Sequence, residues 1–187
     1  MFYTGKGDKG ETNLFSSKPG ERLSKTEPVF EVLGTMDELN SLLGLCRSRS
    51  QGTNLALQGK AVPAAGIFRE LQEALFIVQA QLAGADKHLG ESAVKKLEAL
   101  IRAIEKEIPP IAEFRVTGEV ELGAWCDFAR ALARRAERAL LRYAEKNPEA
   151  VSESARKYLN RLSSVLYALA RVITHQSGAA EKPPTYA

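Results

Sequence analysis

Apolar residues recur at three- and four-residue steps through most of this chain, the spacing that keeps side chains on one face of an α-helix. The first run, Val29, Val32, Leu33, Met36, Leu39, Leu42 and Leu43, predicts a helix from Pro28 to about Arg49. Pro28 sits at a first helical position, where the missing N–H breaks no helical bond, and Thr26 is a nearby cap. Segment 50–66 holds Gly52, Gly59, Pro63 and Gly66 and reads as a linker. A second helix is expected over about 67–85, with Phe68, Leu71, Leu75, Val78 and Leu82 facing inward. Ser92 is the expected cap of a third, built on Val94, Leu97, Ile101, Ile104 and Ile108 and stopped by Pro109-Pro110. A loop at 109–119 leads to a fourth helix over about 120–146 and a fifth over about 151–177, ending near Gly178. Neither an internal repeat nor convincing strand alternation is present. The pattern predicts an all-α fold, an antiparallel five-helix bundle at 28–178. An extended loop at 1–27 precedes it and a tail at 179–187 follows, all in one domain.

The fourth helix carries an unusual charge pattern. Arg130, Arg134, Arg138 and Arg142 recur every four residues and stack along one face, with Arg135 beside them. Glu137 is the only acidic residue between 130 and 142. Like charges at this spacing weaken a helix by a few tenths of a kcal/mol per pair, roughly, so a compensating polyanion is one explanation. Arginine also presents paired donors that match phosphate oxygens. A solvated basic face is the other reading of the same stripe.

Composition narrows the classes. A chain of 187 residues with 44% hydrophobic and 26% charged residues is an ordinary globular protein. No apolar run approaches the roughly 18 residues of a membrane span, and the first residues resemble neither a signal peptide nor a transit segment. A cytoplasmic protein without membrane contact is the expectation. Cys46 and Cys126 lie outside any C-x-x-C pattern and read as buried free thiols. His88 and His175 lack ligand-like neighbours at helical spacing. A nucleic-acid-binding bundle would need broad basic surface and aromatic platforms. A net charge of +3 and arginines without interleaved aromatics do not supply them.

Near the N-terminus, Gly5-Lys6-Gly7-Asp8-Lys9-Gly10-Glu11-Thr12 approaches two phosphate-binding motifs and matches neither. It has the G-x-G-x-x-G spacing without room for the preceding strand. As a P-loop it has Glu11 where the phosphate-reaching lysine belongs. Clustered glycines still let backbone N–H groups converge on an anion, and Lys6, Lys9 and Lys25 add positive charge. A flexible basic terminus is the competing reading.

Taken together, these blocks resemble the PduO-type ATP:cob(I)alamin adenosyltransferases. The resemblance rests on Tyr3-Thr4-Gly5-Lys6-Gly7-Asp8-Lys9-Gly10-Glu11-Thr12, with Lys25 in the next loop. It continues through Glu31-Val32-Leu33-Gly34-Thr35-Met36-Asp37-Glu38-Leu39-Asn40-Ser41, the arginine block 130–138, and Tyr158-Leu159-Asn160-Arg161-Leu162-Ser163. Order and separation agree over essentially the whole chain. Departures are Gly5 and Lys6 in the first block, Arg115 to Glu119 after Phe114, Asp127 where the family usually has His, and Ser164 where it has Asp.

The resemblance implies transfer of the 5′-deoxyadenosyl group of ATP to the cobalt of cob(I)alamin, releasing triphosphate. The nucleophile is then the cobalt, and the chain needs no Ser, Cys or His nucleophile. By the same resemblance, Thr4, Gly5, Lys6, Gly7, Thr12, Asn13 and Lys25 wrap ATP, with Arg134, Arg135, Glu137, Arg138 and Asn160 completing its pocket. Mg²⁺ would bridge the phosphates; Glu137 would help hold it or would neutralise Arg134 or Arg138, the second being favoured. Asp37 and Arg130 resemble an intersubunit salt bridge of the family, and Phe114 its aromatic on the lower axial face of cobalt. A homotrimer with ATP sites between subunits is implied, as are a flavoprotein reductase and a cobalamin-dependent enzyme as partners. A non-catalytic corrinoid- and ATP-binding helical protein is the alternative.

Overall fold

The structure, a computed structural model, describes residues 2–186. Met1 and Ala187, the outermost residues of the expected loop and tail, lie outside the described residues. Five helices form the bundle: α1 (Pro28–Arg49), α2 (Ala64–Leu82), α3 (Glu91–Glu105), α4 (Glu121–Lys146) and α5 (Glu153–Gln176). The all-α expectation holds. Helices consecutive in the chain run antiparallel, while α3 and α5 lie side by side in the same direction, as Glu91–Lys157 and Glu98–Arg161 ion pairs record. α1 packs against α2 and α4, and α5 against α4 and α3.

Each helical stripe is buried as its spacing requires. Met36, Leu39, Leu43, Phe68, Leu75, Ile104, Leu159 and Leu162 are wholly or almost wholly inaccessible. On α4 the inward face is made of Ala129, Ala133, Ala136 and Leu140, three of them with the smallest side chain that still favours a helix. Small side chains let helix axes approach closely. At Gly123 even a methyl group would not fit, since its Cβ would stand 2.7 Å from Thr174 Oγ1 and 3.4 Å from the Ala170 carbonyl. This close packing fixes the rotation of α4 and therefore the direction of its arginine face.

Two short ribbons correct the expectation of no strands. β1 (Glu11–Thr12) pairs antiparallel with β2 (Leu23–Ser24) inside the N-terminal loop. The expected linker instead contains a hairpin, β3 (Asn54–Leu57) and β4 (Lys60–Pro63), closed by Gln58 and Gly59 at positive φ. A two-residue turn with both φ positive matches the twist of paired strands. Leu55 and Leu57 alternate inward, and Gln176 clasps Ala56 through both backbone groups, at 3.0 and 2.9 Å. The caps differ too. Thr26 shares a hydrogen bond with Ser24 at 2.7 Å, leaving Glu27 as the residue before α1. Ser92 lies within α3, which starts from Gly90. Ser152 does cap α5, accepting from the Ala155 N–H.

Candidate functional site

The N-terminal loop is held by its own backbone and by two cations. Gly5 and Gly10 adopt positive φ, 68° and 78°, where β-carbons are strained. Arg22 donates to the carbonyls of Lys6 and Glu11, both at 2.7 Å, and so spans the glycine segment. Lys25 donates through its side chain to the Gly7 carbonyl at 3.0 Å and through its N–H to Gly10 at 2.8 Å. A β-carbon at Gly7 would stand 2.8 Å from Lys25 Nζ, so the close approach of this cation requires glycine. Thr4 and Asn13 are exposed and Thr12 is half-buried in β1. Sequence reasoning singled out Lys6, Lys9 and Lys25 but gave Arg22 no role; its signal was its position in the Arg22-Leu23-Ser24-Lys25 block.

On α4 the five arginines have different surroundings. Arg130 pairs with Asp127 at 3.2 Å and is half-buried. Arg135 forms an ion pair with Glu38 of α1. Arg134 and Arg138 are exposed, and among the described residues they make neither an ion pair nor a hydrogen bond within the chain. Glu137 corrects the preferred expectation for it. Its carboxylate accepts from Asn160 Nδ2 at 2.7 Å instead of neutralising Arg134 or Arg138. Asn160 also accepts from Arg161 at 2.6 Å, and Arg161 reaches Glu98 of α3 at 3.2 Å. Asn160 is thus held in a fixed orientation beside the arginine face, because α5 packs directly on α4. Asp37 is exposed on α1 and does not meet Arg130 within one chain.

Phe114 stands 80% exposed in the 109–119 loop, near Ile111 and Val116, which are also exposed. It is not a packing residue of that loop. The same loop is bonded through Arg115 to Glu181, a member of a cluster that sequence reasoning did not find. Arg171 of α5, only 3% exposed, pairs with Asp127 and, at 2.8 Å, with Glu181 of the tail. Burial raises the Glu181 carboxyl above its ordinary range, against the opposing pull of Arg171. The available signal was Arg171 itself, a lone charge among the apolar residues from Val165 to Ile173, which demands a buried carboxylate.

Cys46 and Cys126 are buried free thiols, as expected, and they face each other between α1 and α4. Their mutual interaction lowers the Cys46 thiol and, with burial, raises Cys126. No helix of the described residues is long and apolar enough to cross a membrane.

Among the described residues no hydrogen bond or ion pair joins the N-terminal loop to α4. The loop instead docks on the C-terminal end of α2, where Ser16 donates its N–H to the Ala83 carbonyl at 3.0 Å. The glycine-rich loop and the unpaired Arg134 and Arg138 are thus both present, without a hydrogen bond or ion pair between them among the described residues.

The chain is similar to known proteins in sequence and fold. The family profile described as cobalamin adenosyltransferase matches residues 2–173. The corrinoid adenosyltransferase PduO of Salmonella typhimurium is 37% identical over 177 residues, covering 90% of this chain and 48% of that protein. Corrinoid adenosyltransferases of Citrobacter freundii and Bacillus subtilis are each 34% identical, with 91% and 94% of this chain and 93% and 88% of theirs covered. The chain spans about half the length of the PduO relatives it matches from Salmonella and Citrobacter. Among solved structures, a variant PduO-type ATP:corrinoid adenosyltransferase from Lactobacillus reuteri complexed with cobalamin and ATP superposes with a TM-score of 0.83. Its identity is 25%, and 99% of both chains is covered. A second variant, complexed with ATP, gives 0.81 at 26% identity, covering 97% and 99%.

Proposed function

The chain belongs to the cobalamin adenosyltransferase family, and we propose that it transfers the 5′-deoxyadenosyl group of ATP to the cobalt of cob(I)alamin. Cobalt attacks C5′, the Co–C bond forms, the C5′–O bond breaks, and triphosphate departs with the bonding electron pair. The protein's task is to hold ATP with C5′ facing cobalt and to stabilise the departing charge. The observation that carries this is the pair Arg134 and Arg138, exposed on a closely packed helix without an anionic partner. A leaving group with several negative charges is the ligand such a pair suits.

Thr4, Gly5, Lys6, Gly7, Thr12, Asn13 and Lys25 wrap the nucleotide and phosphates, and Arg134, Arg138 and Asn160 meet them from α4 and α5. Arg135 and Glu137 border that pocket from their contacts with Glu38 and Asn160. Mg²⁺ would come with ATP and neutralise part of its phosphate charge. The described residues contain no group of three metal-ligating side chains to cage it, which suits an ion carried mainly by phosphate oxygens, with Glu137 the nearby carboxylate. Phe114, solvent-facing and apolar, suits a corrinoid face. There it would exclude water and the cofactor's own base from the lower axial position and ease reduction of the Co(II) form.

The protein works as a homotrimer with each ATP site shared by two subunits. Exposed Asp37, which does not meet Arg130 within one chain, and the lack of any bond between the glycine loop and Arg134 or Arg138 among the described residues support this, since a second copy could supply the missing partners. Asp37 of one subunit would then meet Arg130 of the next. A flavoprotein reductase supplies the reduced cobalt, a cobalamin-dependent enzyme receives the product, and the setting is the cytoplasm. Incubation with ATP, Mg²⁺ and chemically reduced cobalamin tests the activity. Appearance of a photolabile alkylcobalamin spectrum with equimolar triphosphate supports it; bound ATP and corrinoid without turnover would establish the non-catalytic alternative.

A further inference from the structure

The loop carrying Phe114 has few attachments. Among the described residues, 109–119 makes two hydrogen bonds to the rest of the protein, and both go to the tail. Val116 donates its N–H to the Lys182 carbonyl at 2.9 Å, and Arg115 donates to the Glu181 carbonyl at 3.2 Å. The tail is fastened to the bundle in turn by Glu181, whose carboxylate meets Arg171 at 2.8 Å. Arg171 is buried, and a buried guanidinium is retained only where carboxylates face it. Asp127 supplies the second, with one oxygen on Arg171 and the other on Arg130 of the arginine face. A cavity of about 260 Å³ lined by Ile108, Pro110, Ile111, Arg115 and Arg171 lies under the loop, so little packing there would hold it in place.

We propose that Asp127, Arg171 and Glu181 form a positioning cluster that pins the tail, and through the tail fixes where the Phe114 loop stands. These residues touch neither nucleotide nor corrinoid; they act through the two bonds at positions 115 and 116. The inference rests on Phe114 facing the corrinoid. It also gives Asp127 a purpose: a carboxylate at that position can hold an arginine that a neutral imidazole cannot. One buried carboxylate thereby joins the arginine face to the corrinoid loop.

Glu181→Gln removes the charge and keeps the size, and Glu181→Asp restores the charge on a shorter arm. Hydrogen exchange of the full chain, without nucleotide or corrinoid, reads the loop directly. Exchange of the Val116 amide, the N–H of 112–118 that is hydrogen-bonded among the described residues, should accelerate about tenfold in Glu181→Gln while α1 is unchanged. With chemically reduced cobalamin, the KM for cobalamin should rise about fivefold, with kcat and the KM for ATP within about twofold. Glu181→Asp should fall between wild type and Glu181→Gln in both measurements. Unchanged exchange at Val116, or equal changes in both KM values, would overturn the positioning role. Absence of adenosyl transfer by the wild type would instead defeat the functional reading, and the exchange measurement would still decide the cluster.

Discussion

Arg134→Ala should separate function from folding. The side chain is exposed, and among the described residues no carboxylate pairs with it. It lies four residues from both Arg130 and Arg138, and removing one of three like charges relieves a helix by a few tenths of a kcal/mol, roughly. Arg130 is already neutralised by Asp127, so relief comes mainly from the 134–138 pair. Alanine also has the highest helix propensity. The melting midpoint should therefore stay the same or rise slightly. A charge-assisted hydrogen bond to phosphate is worth about 1.5–3 kcal/mol, which corresponds to a loss of roughly tenfold to 150-fold in kcat/KM. Arg134→Lys should recover part of this, since the ammonium keeps the charge but lacks the paired donors. Arg135→Ala is the contrast, because it breaks an exposed ion pair with Glu38 worth at most about 1 kcal/mol of stability. The assay is adenosylation of chemically reduced cobalamin at varied ATP, beside thermal unfolding of each variant. Full activity in Arg134→Ala would refute its phosphate role, and so would a drop in the melting midpoint large enough to explain the lost activity.

Phe114→Ala should lower activity that starts from Co(II) far more than activity with pre-formed cob(I)alamin, and shift the spectrum of bound Co(II); equal losses without a spectral change would leave the ring without that task. MgATP should slow hydrogen exchange over 4–25, because a glycine-rich loop with few apolar anchors gains order from a polyanion; identical exchange with and without nucleotide would count against the loop as its binding site. If ATP sites lie between subunits, mixing impaired Arg134→Ala chains with impaired Lys25→Ala chains and refolding them together should raise activity above that of either variant, to roughly a quarter of wild type, the random-mixing value for a cyclic ring; no gain over the separate variants would place the whole site in one chain. Neither Cys46 nor Cys126 should react with a thiol reagent in the native state, and both should react after unfolding, since each is completely buried.

What was legible in the sequence followed from residues whose surroundings are local. A helix needs only its own periodicity, so five apolar stripes placed five helices. The glycine-rich loop and the arginine stripe were likewise visible as local patterns, each within a dozen neighbouring residues. The hairpin was hidden because Gly59 and Pro63 also mark a linker, and strands of four residues hold too few alternations to outweigh them. Its turn, Gln58-Gly59, acquires meaning only with Leu55 and Leu57 buried on one side. The charged cluster was hidden for a deeper reason. Its members come from α4, α5 and the tail, and although Arg171 stands alone among apolar residues, nothing near it in the sequence shows which carboxylates meet it. Asp127 read as the loss of an expected histidine. Placed in the fold, it is 5% exposed and carries Arg130 on one oxygen and Arg171 on the other. Loss of Arg171 would leave buried Asp127 with Arg130 alone and take from Glu181 its ion-pair partner, a defect of several kcal/mol by order of magnitude. So the substitution is tolerable only together with Arg171 at its position in α5, and Glu181 then has a buried cation to bind. A change at one position of a site is best judged against the partners that the fold brings to it, which here lie 44 residues away in the sequence.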